Sequence, residues 1–365
     1  MRVLRVYHSA VVGPWRERDR RLRSAGYDLT LVSPRRWNEG GAVVTLDAGT
    51  DDFVTAARTL GHHPYAFVYD PRPIWRALRD TPPDVLDVHE EPASLAALEL
   101  LLLRRLARRG RPEVLLYGAQ NIEKRFPPPF RWIERVALGT AAGVYCCNAE
   151  AAAIFRRKGF RGLVRVIGLG VDIEQFAERV GPRAAGPARV GYVGRLEHRK
   201  GVHIAIRAIA QAGDGVELHV HGSGPDEAEL RRLTAVSGAG ERVHFHGYCD
   251  HRLLPDVYRS LDILVVPSQT TAAWVEQFGR VAVEAMASGV PVVVADSGAL
   301  REVVGDAGVV VPEADVEAWV GAIRSLVEDE DLARRCATTG IERARAFSWQ
   351  AVAAEHAELY EAVAG

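Results

Sequence analysis

The chain has 365 residues, 48% apolar, 25% charged and 7% aromatic, a length that suggests two domains of ~150 residues, each able to bury its own core. The apolar fraction excludes disorder, 34 Gly and 19 Pro without a fixed period exclude a fibre, and four Cys with no C-x-x-C pair exclude a disulfide framework or thiolate metal cage, pointing to a reducing, cytoplasmic setting. The net charge of −1 divides into +7 over residues 1–180 and −8 over the rest; it lacks the dense basic stripe of a nucleic-acid binder but leaves an anionic ligand or a peripheral membrane contact open to the front half.

The start, Met1 to His8, has too few apolar residues for a secretory segment and reads as a first buried strand over Leu4–His8. Further strands are expected at Leu29–Ser33, Val85–His89, Val114–Gly118, Gly143–Cys147 and Val164–Gly168, with helical stretches between them. The richest apolar run, Leu95 to Leu103, contains Glu99 and ends at Arg104, short of the roughly 20 residues a membrane span needs. The basic segment behind it, Arg104 to Arg111, reads either as a solvated helix end or as a contact for anionic lipid. A Gly/Pro/Ala-rich break, Gly181 to Pro187, is the linker candidate, dividing the chain into 1–180 and 181–346. The pattern restarts with strands at Arg189–Val193, Val216–His221, Val243–His246, Ile263–Val266, Pro291–Ala295 and Gly308–Val311. A tail over 347–365 reads as a helix capped by Ser348, with Trp349, Val352 and Tyr360 as apolar anchors. The fold class is therefore α/β, two Rossmann-like doubly wound domains facing a cleft, with ligands expected beyond the carboxyl ends of the strands.

Two clusters follow predicted strands. In Val193-Gly-Arg-Leu-Glu-His-Arg-Lys-Gly201, Gly194 lets the backbone turn, and Arg195 and Lys200 precede a helix; two cations with free helix amides suit a diphosphate. Lys200 is one of only three lysines in an arginine-rich chain. In Glu276-Gln-Phe-Gly-Arg-Val-Ala-Val-Glu284, Gly279 opens a helix and Glu284 lies about one turn inside it, where a carboxylate can accept both hydroxyls of a ribose.

Arg195 with Lys200, then Glu276-x7-Glu284 followed by Ala-Met-Ala-Ser-Gly-Val-Pro291, resembles the retaining family 4 glycosyltransferases of GT-B fold. The resemblance extends along nearly the whole chain. His89-Glu-Glu-Pro92 is similar to an active-site segment of the first domain, Ile167 to Asp172 to the approach to the hinge, and Phe347-Ser-Trp349 to the helix that crosses back. The resemblance implies that Arg195 and Lys200 neutralise the donor diphosphate and that Glu284 holds the ribose. Glu276 would bind donor-sugar hydroxyls beside the backbone of Gln277, Phe278 and Gly279. Gly222 and Gly224 would line the same cleft, and Tyr248 and Cys249 would contact the nucleobase. His89 would position donor or acceptor rather than act as a base. It further implies transfer from a nucleotide-diphosphate sugar to a sugar, lipid-linked or small-molecule acceptor without metal or cofactor, the diphosphate oxygen taking the acceptor proton. Where many relatives have a Gly-Gly loop after the first strand, this chain offers only Gly13, and the acceptor side would be rebuilt around Trp15 and Arg16. The segment from Gly118 to Phe126 resembles acceptor-side loops of bacterial transferases of surface glycans.

Other readings are weighed on the same residues. Asp329-Glu-Asp331 follows a helix far from the motifs and reads as a solvated acidic turn. His219-x-His221 and His244-x-His246 fall on neighbouring strands with Cys249 nearby; without an evident carboxylate partner they read as buried or cleft-edge histidines, and no metal ligand is assigned. A nucleotide-sugar epimerase or phosphorylase of the same fold is the alternative function. A dinucleotide oxidoreductase is disfavoured, since neither half shows Gly-x-Gly-x-x-Gly after its first strand.

Overall fold

The computed structural model describes residues 1–39, 42–49, 51–107, 110–176, 178 and 186–365. It divides into two compact units, the first made of 1–168 with 349–365 and the second of 169–348. The break anticipated at Gly181 to Pro187 falls largely on 181–185, outside the described residues.

The first unit is built on a parallel seven-stranded sheet: β1 (Arg2–Val6), β2 (Asp28–Pro34), β3 (Val54–Ala57), β4 (Val85–Val88), β5 (Glu113–Gly118), β6 (Gly143–Cys146) and β7 (Leu163–Val166). Their order is β7-β6-β5-β4-β1-β2-β3. All four residues of β4 are buried, as expected of a central parallel strand covered on both faces. One core cluster gathers Leu4, Val6, Val88, Leu100 and Leu116. The other joins Val3, Leu29, Leu31 and Leu115 to Val352, Leu359 and Tyr360 of the terminal helix Trp349–Ala364. Two short antiparallel pairs, Arg36–Glu39 with Ala42–Thr45 and Thr59–His63 with Ala66–Tyr69, were not anticipated.

A buried ionic network ties that terminal helix to the sheet. Asp87 on β4 accepts from the hydroxyls of Tyr145 and Tyr360, each at 2.7 Å, and from Arg18 at 3.0 Å. Asp19 pairs with Arg5 at 2.6 Å and with Arg18 at 3.2 Å. Two carboxylates thus face two guanidiniums, the balance that makes burying four charges tolerable.

The second unit holds a parallel six-stranded sheet of β8 (Ala188–Val193), β9 (Val216–His221), β10 (Val243–Gly247), β11 (Ile263–Val266), β12 (Val292–Ala295) and β13 (Gly308–Val311), in the order β10-β9-β8-β11-β12-β13. The strand order reverses between β8 and β11 here, and between β1 and β4 in the first unit; such switch points leave a crevice at the strand ends. Asp329 accepts from the amide of Leu332 at 2.8 Å and so caps the helix Glu330–Arg345, which gives the acidic turn its structural role. Among the described residues no helix is long and apolar enough to cross a membrane. Of the basic segment, Arg104 donates to the carbonyl of Pro112 at 2.7 Å, and 108 and 109 lie outside the described residues.

Candidate active site

The polar residues of the second unit converge on its switch point. The Lys200 ammonium donates to Glu276 Oε2 at 2.8 Å, and Ser268, two residues beyond β11, donates its hydroxyl to the same oxygen at 2.7 Å. Glu276 is only 8% exposed, so this carboxylate is held on one side by a cation and a hydroxyl. The Lys200 ammonium also sits 4.6 Å from the centre of the Trp274 ring, and the Arg199 guanidinium 4.8 Å from the same ring. Arg195 is exposed and pairs with Glu197 at 2.8 Å.

The glycines earn their positions through backbone contact between successive loops. Gly194 donates to His221 O at 3.0 Å and Gly222 to Gly247 O at 2.7 Å, lacing together the turns after β8, β9 and β10. Gly222 has φ +152°, and a Cβ there would lie 1.8 Å from Gly194 O; one at Gly224 would lie 2.3 Å from Leu196 O. Only glycine permits that packing. Gly279, at φ +87°, turns the chain into the helix Arg280–Ala287. Its neighbour Phe278 is buried and meets Phe347 edge-on at 5.3 Å, so only the Phe278 backbone is free to serve a ligand. Gln277 is half-buried beside it.

Glu284 is buried one turn inside that helix and accepts the Tyr258 hydroxyl at 2.7 Å. Burial pushes its carboxyl above the ordinary range, against the pull of the Tyr258 hydrogen bond and of Arg280. Tyr248 stands 78% exposed after β10, with Cys249 half-buried next to it.

The first unit has its own polar cluster at the β1/β4 switch point. His89 follows β4 and stacks on Tyr117 with ring centres 3.8 Å apart. Its Nδ1 lies 3.2 Å from Arg5 and 2.7 Å from the Tyr145 hydroxyl, whose single proton must serve either His89 or Asp87. Burial, then Arg5 and Arg18, hold the His89 pKa well below its ordinary value, so the ring is neutral at pH 7. Next to it Glu90 accepts the His8 amide at 2.8 Å and the Tyr69 hydroxyl at 2.7 Å, and approaches His8 Nδ1 at 2.5 Å. Burial disfavours a charged His8, but Glu90 outweighs it and the His8 pKa is raised.

Near Gly13 it is the expectation for Arg16 that needs correcting. A Cβ at Gly13 would meet Arg16 at 3.5 Å, an ordinary contact, so the space beside it is open. Arg16 turns inward, donating to Asp51 at 2.7 Å and to the carbonyls of Ala10 and Asp47, because three acceptors inside the fold outbid solvent for its guanidinium. It is a structural brace rather than an acceptor contact. Trp15 is half-buried.

Family models match two successive stretches, Glycosyltransferase Family 4 over residues 19–175 and Glycosyl transferases group 1 over residues 174–343. The chain belongs to the group 1, family 4 glycosyltransferases. Similar members include glycogen synthase of Mycobacterium tuberculosis, 34% identical over 203 residues, covering 54% of this chain and 48% of that one. D-inositol 3-phosphate glycosyltransferase of Xylanimonas cellulosilytica is 32% identical over 248 residues, covering 62% and 58%. The match thus spans about half the length of these curated relatives. Among solved structures, sucrose-phosphate synthase of Thermosynechococcus elongatus superposes with TM-score 0.73 at 22% identity, over 100% of this chain and 99% of that one. HepE of Anabaena, in complex with UDP, gives 0.77 at 20% identity, over 99% and 100%. These likenesses establish the fold, GT-B.

Within this chain, sequence reasoning overlooked Ser268, Tyr258 and Trp274, and took Glu90 only as part of the His89-Glu-Glu-Pro92 segment. Ser268 had a signal, since it lies two residues beyond the apolar strand Ile263–Val266, where ligands are expected in such sheets. Tyr258 had none, because its partner lies 26 residues away.

Proposed function

We propose that the chain transfers a sugar, with retention of anomeric configuration and without a metal, from a nucleotide-diphosphate sugar to a hydroxyl of a glycan, a lipid-linked precursor or a small metabolite. The observation that carries this reading is the Lys200–Glu276–Ser268 cluster at the β8/β11 switch point. It sets a fixed cation beside a buried carboxylate, next to glycine-packed turns and the start of a helix.

In this reading Lys200 and Arg195 neutralise the diphosphate, and the amides near Gln277, Phe278 and Gly279 add helix-terminal donors. Glu284 accepts from the ribose hydroxyls and Glu276 from the donor sugar. As the glycosidic bond breaks, negative charge grows on the departing diphosphate, and donors fixed in advance stabilise it without reorganising. A diphosphate oxygen on the same face takes the acceptor proton, which leaves no step for a separate base. His89, neutral and braced by Arg5 and Tyr145, positions a substrate by hydrogen bonding. A UDP-sugar is the first donor to test, since HepE binds UDP.

The test is a thermal-shift and turnover screen of UDP, GDP, ADP and dTDP with their sugars, in chelator. A ligand at a hundred times its Kd stabilises by about 2.7 kcal/mol. Stabilisation followed by transfer with an unchanged anomer, read by NMR, is the expected result. No stabilisation by any nucleotide, or turnover lost on chelation, refutes it; an epimerised free sugar or a phosphate requirement favours the alternative.

A further inference from the structure

Strand alternation puts Glu217, His219 and His221 of β9 on one face of the sheet, and His219 is paired in register with His244 of the edge strand β10. Glu217 Oε2 lies 3.5 Å from His219 Nε2 and 3.5 Å from His244 Nε2. The carboxylate that the sequence left unassigned is therefore in place. We propose that Glu217, His219 and His244 form a binding site for a transition-metal dication, with zinc as the expected occupant.

The spacing is the first argument. Ligands about 2.0–2.1 Å from a tetrahedral zinc stand roughly 3.4 Å from one another, and two imidazoles with one carboxylate are a donor set zinc accepts. Both Glu217 separations already have that value, and the three ligand atoms all lie within 4.8 Å of each other. At 3.5 Å they are long for hydrogen bonds.

The ring environment is the second. His219 Nδ1 is 3.1 Å from His246 Nε2; with the proton on Nδ1, the Nε2 facing Glu217 keeps its lone pair. Arg189 donates to that same Nε2 from 3.4 Å, which requires the lone pair there. His246 in turn stacks on His221 with ring centres 4.3 Å apart, backing the site with a third and fourth imidazole.

Access is the third. β10 has a free edge, and the His244 side chain is 40% exposed, which leaves the fourth coordination position to water. The ligands sit on the strand face, not in the strand-end loops that carry Arg195, Lys200 and Glu276. A metal there would clamp β10 to β9 just before the register shift at Val220/His221.

The experiment uses the untagged full chain, stripped with chelator, and Co²⁺ as a chromophoric probe displaced by Zn²⁺. One equivalent of Co²⁺ should give the intense visible bands of tetrahedral coordination, bleached by zinc. His244→Ala and Glu217→Gln should each weaken binding on the order of a hundredfold. Arg189→Ala should tighten it by removing a competing cation. The metal-free thermal unfolding of both ligand variants should match the parent, His244 being at an exposed edge; if one misfolds, the other decides. Weak octahedral spectra, or stoichiometric binding that survives both ligand substitutions, overturn the proposal. The readout is metal occupancy, so it stands or falls separately from sugar transfer.

Discussion

Replacing Lys200 by Met removes the ammonium while keeping an unbranched apolar stem. Two losses follow. The ion pair to Glu276 at 2.8 Å joins side chains that are 26% and 11% exposed. It therefore falls between exposed pairs, worth about 0.2–1 kcal/mol, and buried pairs, whose disruption costs about 3–5 kcal/mol; a stability loss of about 1–3 kcal/mol is expected. Ser268 still serves Glu276, which keeps the loss from the upper bound. The catalytic loss is that of one preorganised donor to the leaving diphosphate, about 2–4 kcal/mol, or roughly 30- to 900-fold in kcat/KM. Glu276→Gln keeps an acceptor for Ser268 but abolishes the pair, and the double variant should lose less than the sum of the singles, because both side chains act on one donor. The assay is transfer from the best nucleotide sugar under chelation, beside thermal unfolding of each variant. A folded Lys200→Met protein retaining kcat/KM within about threefold of the parent would refute the reasoning.

Three more outcomes are expected. Gly222→Ala sets a methyl 1.8 Å from Gly194 O at a positive φ, and chemical denaturation should show a loss of at least about 2 kcal/mol; an unchanged midpoint would mean the turns pack differently. Asp87→Ala leaves Arg5 and Arg18 short of a carboxylate and should lower stability by about 3–5 kcal/mol, whereas Tyr360→Phe, losing one hydrogen bond, should cost about 1–2 kcal/mol; equal melting shifts would contradict the network. Burial pushes Glu91 and Glu99 up to about 7, so the folded chain binds their protons more tightly than the unfolded one. Their contribution is fully present below about 4.5 and declines as pH rises to about 7; Glu91→Gln should flatten the melting-temperature profile across that window, and an unaltered slope would sink the assignment.

Sequence made most sheet strands legible because they are short apolar or β-branched runs between helices, but β3 (Val54–Ala57), at the sheet edge with only Ala57 buried, was not anticipated. The expected Val216–His221, Ile263–Val266 and Gly308–Val311 coincide with observed strands, and Arg189–Val193 falls one residue inside its strand. The antiparallel pairs of Arg36–Glu39 with Ala42–Thr45 and of Thr59–His63 with Ala66–Tyr69 escaped notice because most of these strand residues are exposed, with little apolar alternation to betray them. Candidate site residues within one loop, such as Gly194 and Lys200, were readable from spacing. Contacts that depend on which strands are neighbours were not. Glu276 meets Lys200 across 76 residues, and Tyr258 meets Glu284 through a fold that no local pattern encodes. Glu217 alternates with His219 in plain view, yet its value lies in the cross-strand register to His244, which only sheet pairing supplies. Arg16 misled for the opposite reason: a cation after a strand looks like a ligand contact until three internal acceptors are seen to claim it.

The terminal helix gives the first unit a split pedigree. Leu359 and Tyr360 fill a core begun by Val3 and Leu29, while residues 169–348 form a self-contained body inserted between the two pieces. During synthesis the insert emerges as an uninterrupted stretch, whereas the portion before it gains the second tyrosine of Asp87 only after residues 349–365 have followed. Of these two bodies, the one started earlier therefore completes its core later.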